Sequence, residues 1–147
     1  MRRLLVVSAL LLAVAGCTLP RWPVDAPITS PFGLRMRGIL PSVHRGVDLS
    51  VPTGTEVRAM ADGRVRFAGT MRGFGTVVWI DHGGAVVSVY AHLSALRVQT
   101  GQAVDGRQVI GLSGATGDVT SPHLHFEVWR WGREVDPVPL LGGFPGG

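Results

Sequence analysis

From Ile28 onward, apolar and polar residues alternate over short segments that are separated by glycine-containing turns. Alternation with a period of two predicts antiparallel β-strands that bury one face against a core. No stretch after the N-terminal segment has the three-to-four-residue spacing of apolar positions that a long amphipathic helix requires. The sequence therefore predicts a mainly β protein built on an antiparallel, sandwich-like β-sheet.

Two turns in this pattern predict β-hairpins. Asp62 and Gly63 lie between strand candidates at 56–60 and 64–68. Asp–Gly is a favoured two-residue hairpin turn, because both residues tolerate a positive φ. A second turn, around Gly83, separates another pair of strand candidates. We expect the two strands that flank each turn to be paired neighbours.

The N-terminal segment has a different composition. Arg2 and Arg3 precede an apolar run at 4–16, which is the arrangement of a secretory signal peptide. The run is shorter than the roughly 20 apolar residues that a membrane-spanning helix needs. Residues 1–16 are therefore predicted to be a signal peptide.

Cys17 is the only cysteine, and it follows the small residues Ala15 and Gly16. This sequence resembles the bacterial lipobox, in which the cysteine is diacylated and becomes the new N-terminus; the alternative is a chance cysteine in an ordinary signal peptide. Several acyl chains would hold the protein permanently at a membrane, whereas one chain binds only marginally. In Gram-negative lipoproteins, an aspartate directly after the lipidated cysteine favours retention in the inner membrane. This chain has Thr18 at that position, so for a Gram-negative source we expect the protein at the periplasmic face of the outer membrane.

The rest of the chain divides into three predicted parts. Residues 17–27 comprise the lipidated cysteine and a proline-rich, extended tether. Residues 28–140 contain the strand candidates and have the length of one domain. Residues 141–147 are rich in glycine and are predicted to be a flexible tail.

Charge limits the choice of partner. The chain has 14 basic and 10 acidic side chains, and two of the arginines lie in the predicted signal peptide. The remainder is only weakly basic, without a block of like charge, which argues against nucleic-acid binding. This balance mildly favours an acidic cell-wall polymer as a partner.

Four of the five histidines fall within three short motifs, which are HRGVD (44–48), YAHLS (90–94) and HLH (123–125). Successive side chains of a strand point to opposite faces, so His123 and His125 are predicted to share one face. Asp48 alternates with apolar neighbours and is expected to project from the start of a strand. His44 would then reach Asp48 across Gly46.

The same alternation in the second motif puts Tyr90 and His92 on one face and Val89 and Ala91 on the other. We therefore expect Tyr90 and His92 to point away from the apolar layer. His82 lies in the second predicted turn, where a surface or turn-capping role is ordinary, and it is left out of the candidate site.

Imidazole nitrogens and a carboxylate oxygen suit Zn²⁺, and a catalytic zinc site has three protein ligands and a fourth position for water. Spacing alone does not choose three ligands among the four histidines and Asp48. The alternative is a polar sheet face on which each histidine has ordinary hydrogen-bond partners. The joint placement of three motifs argues against that alternative.

Taken in order, the motifs resemble peptidase family M23, the lysostaphin-like (LytM) zinc endopeptidases that cleave peptide bonds in bacterial peptidoglycan. The resemblance extends from ITSPFGLR at 28–35 through the three histidine motifs to SPHLHFEV at 121–128. It departs from the family at Ser121, where many members have glycine. The resemblance implies a lysostaphin-type antiparallel β fold with a groove-shaped active site.

The resemblance also implies a role for each residue of the motifs. His44, Asp48 and His125 correspond to the ligands of one Zn²⁺, and His92 and His123 correspond to the family's catalytic histidines. The implied activity is zinc-dependent hydrolysis of the peptide cross-links between peptidoglycan stem peptides during cell-wall remodelling.

Three other functions compete with this prediction. A catalytically silent LytM-type regulator of cell-wall amidases would have the same fold, but such regulators typically lack ligands that are present here. A purely structural zinc protein or a wall-binding module is the second alternative, but a structural zinc site usually has four protein ligands and often uses cysteine. A peptidase that acts on proteins would differ only in its substrate.

Overall fold

The computed structural model describes residues 19–146. The predicted signal peptide, 1–16, and the predicted lipidation site, Cys17, lie outside the described residues. Within this range the chain forms twelve strands and one helix of four residues. No described helix is long and apolar enough to cross a membrane.

The strands are β1 (Ile28–Ser30), β2 (Gly33–Arg37), β3 (Leu40–His44), β4 (Val47–Leu49), β5 (Glu56–Arg58), β6 (Gly63–Met71), β7 (Gly75–Asp81), β8 (Val86–Leu96), β9 (Ala103–Val104), β10 (Val109–Ser113), β11 (Leu124–Arg130) and β12 (Arg133–Val135). The helix, α1, is Pro137–Leu140, and the Asp136 side chain accepts a hydrogen bond from its first turn.

Ten of the strands form one sheet, whose main path has the order β1-β4-β11-β8-β7-β6-β9. Strand β10 pairs with β5 and β8, and β12 pairs with β11. Every pairing in the sheet is antiparallel. The predicted fold, mainly β with an antiparallel sheet, is confirmed.

Strands β2 and β3 form a separate two-stranded hairpin. Its outward face is apolar, since Leu34 and Val43 are opposite each other and are 78% and 68% exposed. Its inward face carries Arg35, which contacts Asp48 of β4. The hairpin ends at His44, so its position affects the candidate site.

One predicted hairpin is confirmed and the other is wrong. Strands β7 and β8 pair across the turn that contains Gly83. The strands around Asp62 and Gly63 do not pair with each other, because β5 pairs with β10 and β6 pairs with β7 and β9. Gly63 has no positive φ. It permits close packing instead, since a Cβ there would lie 2.6 Å from the carbonyl oxygen of Asp81.

The sheet buries side chains on both faces. The main core includes the fully buried Tyr90 and Phe126, whose ring centroids are 5.3 Å apart. A smaller cluster on the other face contains the buried residues Val77, Val89 and Ala91, with Phe67, Met71, Phe74, Trp79 and Trp129 packed against them. The apolar layer predicted at Val89 and Ala91 is therefore the smaller of two.

The predicted orientation of Tyr90 away from the apolar layer is wrong, since this residue lies in the main core. Simple alternation would then bury His92 in the same core. Between Tyr90 and Leu93, however, β8 has one residue more than its partner β7, which is a β-bulge. His92 has a φ of 62° there. The bulge turns His92 toward His125 and returns Leu93 to the main core.

Residues before β1 and after α1 contact the domain. Val24 and Ala26 are buried in the main core. The indole N–H of Trp22 donates to the carbonyl oxygen of Gly143 at 2.9 Å. The folded unit thus includes residues from both segments that the sequence predicted as tether and tail.

Gly46 lies between β3 and β4, where the chain approaches β11. A Cβ at this position would lie 2.3 Å from the backbone oxygen of Phe126 and 2.9 Å from Cγ of Glu127. Because the backbone of a central strand cannot move away freely, we expect Gly46→Ala to lower the free energy of unfolding by about 1–3 kcal/mol in urea unfolding. The control is Gly69→Ala, whose nearest neighbour would be the movable ring of Phe67 at 3.0 Å. Equal losses in the two variants would contradict this account.

Candidate metal centre

Three elements bring the candidate ligands together. The pairing of β4 with β11 places Asp48 directly opposite His125. His44, at the end of β3, reaches the same point from the separate hairpin. One potential ligand atom from each of these residues lies within 4.8 Å of the others.

The contacts centre on one carboxylate oxygen. Asp48 Oδ1 lies 2.8 Å from Nδ1 of His125 and 3.1 Å from Nε2 of His44. These two imidazole nitrogens are 3.1 Å apart. Ligand atoms around tetrahedral zinc are separated by about 3.3 Å, given bonds of about 2.0–2.1 Å. The nitrogen, nitrogen and oxygen donors therefore fit a small divalent cation such as zinc in both chemistry and spacing.

In both candidate histidine ligands, the outer ring nitrogen, which is the one that does not contact Asp48, has a hydrogen-bond partner of its own. Nδ1 of His44 donates to the carbonyl oxygen of Pro31 at 2.8 Å. Nε2 of His125 donates to the buried carboxylate of Glu127 at 2.9 Å, and the Trp129 indole donates to the same carboxylate at 2.7 Å. Such partners fix the ring orientation and leave the inner nitrogen as an electron-pair donor. Both imidazoles are thus oriented for metal binding.

His92 and His123 lie beside the candidate ligands. Their ring centroids are 4.9 Å apart, and the His92 ring is 5.8 Å from the ring of His125. Nε2 of His123 lies 3.7 Å from Asp48 Oδ1. All five residues singled out in the three motifs are therefore brought together in the structure.

Backbone carbonyl groups hold the outer nitrogens of these two histidines. Nδ1 of His92 donates to the carbonyl oxygen of Thr116 at 2.8 Å. Nδ1 of His123 donates to the carbonyl oxygen of Ser121 at 2.9 Å. The Nε2 atom of each ring is left to act in the site. Since Ser121 acts through its backbone, its departure from glycine leaves this contact in place.

His82 lies elsewhere in the fold. Its Nδ1 donates to the carbonyl oxygen of Asp62 at 2.7 Å, and its Nε2 lies 2.7 Å from Oγ of the buried Ser88. Burial lowers the pKa of His82. These contacts give it a structural role, apart from the other four histidines.

The five clustered residues line one groove of about 750 Å³. The β2–β3 hairpin forms one wall, to which Arg35 and His44 contribute, and residues 118–122 form another. Phe74 contributes an aromatic ring, whose centroid is 6.0 Å from that of His125. The groove is open to solvent and has room for an extended peptide.

Hydrogen bonding and burial oppose each other at the candidate ligands. Burial alone would raise the pKa of Asp48, but hydrogen bonds from His125 and His44 hold that pKa well below its ordinary value. Burial would lower the pKa of His125, but hydrogen bonds to Asp48 and Glu127 raise it to about 9. The metal-free site therefore favours an ionised aspartate beside a protonated histidine.

His92 has the opposite tendency. Burial lowers its pKa, and the hydrogen bond to Thr116 offsets this only in part, while the neighbouring His123 and His125 lower it further. The ring is therefore neutral at neutral pH. A neutral imidazole with a free Nε2 can accept a proton.

Sequence reasoning missed two charged groups of the site. Glu127 is two residues after His125 and shares its strand face, so the alternation in SPHLHFEV could have identified it. Arg35 donates from Nη1 to Oγ of Ser30 at 2.7 Å and to Oδ2 of Asp48 at 3.4 Å. No local pattern connects Arg35 with Asp48, since the contact depends on how the hairpin folds over β4.

Residues 42–137 match the profile of peptidase family M23. The DD-carboxypeptidase/endopeptidase Mpg of Neisseria meningitidis is 48% identical over 115 residues, which are 77% of this chain and 26% of that protein. The murein hydrolase activator EnvC of Escherichia coli is 36% identical over 139 residues, which are 92% of this chain and 33% of that protein. The chain thus spans between a quarter and a third of the length of these relatives.

Solved structures match most of the chain. A zinc-containing peptidase from Vibrio cholerae is 36% identical with a TM-score of 0.77, over 85% of this chain and 40% of that chain. The catalytic domain of the antimicrobial peptidase lysostaphin from Staphylococcus simulans is 33% identical with a TM-score of 0.73, over 80% of this chain and 92% of that chain. The described fold is therefore of the lysostaphin type.

The electrostatics of the metal-free site can be tested by NMR. We expect the His125 imidazole to titrate with a pKa of about 9 in chelator-treated protein, and we expect Glu127→Gln to lower that pKa by removing one of two neighbouring negative charges. Because the pKa of His125 is raised in the folded state, protonation of the ring stabilises the metal-free fold. This stabilisation is complete at a pH below the ordinary histidine pKa of about 6.5, and it is lost as the pH rises through about 9. A His125 ring that titrates at or below its ordinary pKa would contradict the account.

Proposed function

The chain belongs to peptidase family M23, and on that premise we propose that it is a zinc-dependent endopeptidase that hydrolyses the peptide cross-links of bacterial peptidoglycan. The observation that carries the proposal is the convergence of His44, Asp48 and His125 on one point of an open groove. Two further histidines, His92 and His123, lie beside that point.

His44, Asp48 and His125 would hold one zinc ion per chain. Three protein ligands are typical of a catalytic site, and a structural site usually has four. The similarity to a zinc-containing peptidase supports zinc over other divalent metals. When bound, the ion supplies Lewis acidity and lowers the pKa of water toward neutrality.

His92 and His123 would handle the protons of the reaction. Neutral His92 can accept a proton through Nε2 from the attacking water. His123, whose ring centroid lies 4.9 Å from that of His92, can stabilise the developing oxyanion or donate a proton to the leaving amine. The two backbone carbonyls that hold the rings keep both Nε2 atoms directed into the groove.

The peptidoglycan substrate is proposed from the relatives and from the shape of the groove. Mpg is named as a DD-carboxypeptidase/endopeptidase, although this chain spans only a quarter of its length. An open groove accommodates an extended peptide that remains attached to a polymer. A regulatory role, as described for EnvC, would not require the ligands and both additional histidines to converge, so the enzyme is the better supported function.

We further propose that Cys17 is lipidated and anchors the domain at a membrane of the cell envelope, on the periplasmic side of the outer membrane in a Gram-negative cell. The backbone N–H of Arg21 donates to Met60 at 2.9 Å, so the folded domain includes Arg21. Four residue steps separate Arg21 from Cys17, and they span at most about 14 Å. An anchored domain would therefore lie close to the membrane surface.

The division of roles can be tested by substitution. We expect alanine at His44, Asp48 or His125 to abolish zinc binding, and alanine at His92 or His123 to retain zinc but lower kcat by about 10²–10⁴-fold. Zinc is measured in dialysed protein by elemental analysis, and turnover by mass spectrometry of the new amines released from cross-linked muropeptides.

Wild-type protein treated with a chelator and then reloaded with zinc is the control, and it should lose and regain activity. Complete loss of zinc from the folded His123→Ala protein would contradict the assignment. Intact cross-links with zinc-loaded wild type under all conditions would contradict the proposed activity itself.

The lipid anchor predicts a change in location. Cys17→Ser should move the protein from the membrane fraction to the soluble periplasmic fraction, because no acyl chains can be attached. Fractionation followed by mass spectrometry of the N-terminal peptide measures both location and acyl mass. An unacylated, soluble wild-type protein would refute the anchor without affecting the proposed enzyme activity.

A further inference from the structure

The groove contains a cation that the proposed mechanism does not use. We propose that Arg35 forms a carboxylate-binding subsite for the residue on the amine side of the scissile bond. This inference rests on the proposed function and narrows its substrate class. The preferred substrates are peptides in which that residue has a free α-carboxylate.

Arg35 is held at the edge of the candidate metal centre. It lies on the inward face of the β2–β3 hairpin, lines the groove, and has a side chain that is 30% exposed. Its Nη1 donates to Oγ of Ser30 at 2.7 Å. The other contact of Nη1, with Oδ2 of Asp48, is 3.4 Å long.

These contacts leave much of the guanidinium unused. A guanidinium has five N–H donors, and charge-assisted contacts to a carboxylate are usually about 2.7–2.9 Å long. Asp48 therefore satisfies Arg35 only weakly. Nε of Arg35 has no hydrogen-bond partner, but it is buried and so does not face the groove. No partner of Nη2 lies among the described residues, so Nη2 retains its donors, and the guanidinium its charge, for an anion in the groove.

The other arginine among the described residues of the groove is engaged elsewhere. Arg45 is 68% exposed and forms an ion pair with Glu134 at 3.5 Å. Asp118 lines the groove as well, but it would repel an anion. Among the described groove residues, Arg35 is therefore the side chain positioned to bind an anion next to the candidate metal centre.

The position of Arg35 matches the geometry of a peptide. Asp48 connects the two sites, because Oδ1 belongs to the candidate metal centre and Oδ2 contacts Arg35. In a peptide, the carboxyl carbon of the next residue is three bonds, or about 3–4 Å, from the scissile carbonyl carbon. A scissile carbonyl at the metal centre would therefore place an α-carboxylate within reach of Arg35.

This chemistry separates two kinds of cross-link. A carboxypeptidase substrate has a free α-carboxylate at this position. So does a direct cross-link to a diamino acid whose amine-bearing carbon also carries a carboxylate. An oligoglycine bridge has an amide there instead, because its chain continues. The subsite therefore favours direct cross-links and terminal residues over glycine bridges.

Two cross-linked muropeptide dimers test the inference with wild-type, zinc-loaded protein. They are identical except that the amine-side residue has a free carboxylate in one and a carboxamide in the other. We expect kcat/KM to be roughly 10–100-fold higher for the carboxylate, as the loss of a charged hydrogen-bond partner predicts. Equal values would overturn the subsite. Cleavage of neither dimer would instead overturn the proposed function, and the subsite with it.

Substitutions of the two groove arginines test whether Arg35 causes the preference for the carboxylate dimer. Arg35→Gln should reduce the preference to about threefold or less, and Arg35→Lys should retain part of it, because one charged hydrogen bond can still form. Arg45→Gln is the matched control and should keep the full preference. The ratio of the two rates within one variant does not depend on the fraction loaded with zinc. A preference unchanged in Arg35→Gln would overturn the assignment, and if that variant does not fold, the wild-type comparison still decides.

Equilibrium binding gives a readout that is independent of turnover. His123→Ala should bind the carboxylate dimer with a Kd about tenfold or more below that of the carboxamide dimer in calorimetry. The double variant His123→Ala, Arg35→Gln should bind the two dimers equally. Equal Kd values in the single variant would contradict a carboxylate subsite.

Discussion

The antiparallel pairing of β4 with β11 is the constraint on which the rest of the site depends. It places Asp48 opposite His125, while Val47 and Leu49, on either side of Asp48, are completely buried in the main core. A slip of β4 by one residue in this register would turn Asp48 into the core and Val47 and Leu49 toward the groove. Packing of the core therefore fixes the position of two candidate ligands.

Charge balance explains why polar groups are tolerated at this depth. The partly buried Asp48 and the nearly fully buried Glu127 flank His125, and two such carboxylates beside neutral imidazoles would be costly. A divalent cation compensates both charges at once. Without it, protonation of His125 supplies part of the compensation, which is why the pKa of this ring is raised. A cation at the centre of the site would complete this compensation, to which the long contact between Arg35 and Asp48 adds only a little.

Local pattern predicted the strands and the shared direction of His123 and His125, because the alternation there is regular. It failed at Tyr90, because the bulge that redirects His92 has no glycine or proline to reveal it. It failed at Asp62, where pairing with distant strands overrides a strong local turn preference. The spacing of the motifs did not decide which three of the five candidate residues are metal ligands. Only the family resemblance selected His44, Asp48 and His125. Arg35 required the folded hairpin, since its contact with Asp48 joins separate sheets.

The central claim is that His44, Asp48 and His125 bind zinc and leave a coordination position open. X-ray absorption at the zinc edge of the folded protein tests it most directly. The account predicts two imidazole nitrogens and one or two oxygens at about 2.0–2.2 Å, with no sulfur shell at about 2.3 Å. The His125→Ala protein should lose this signal. A site with four protein ligands, or an unchanged spectrum in that variant, would contradict the account.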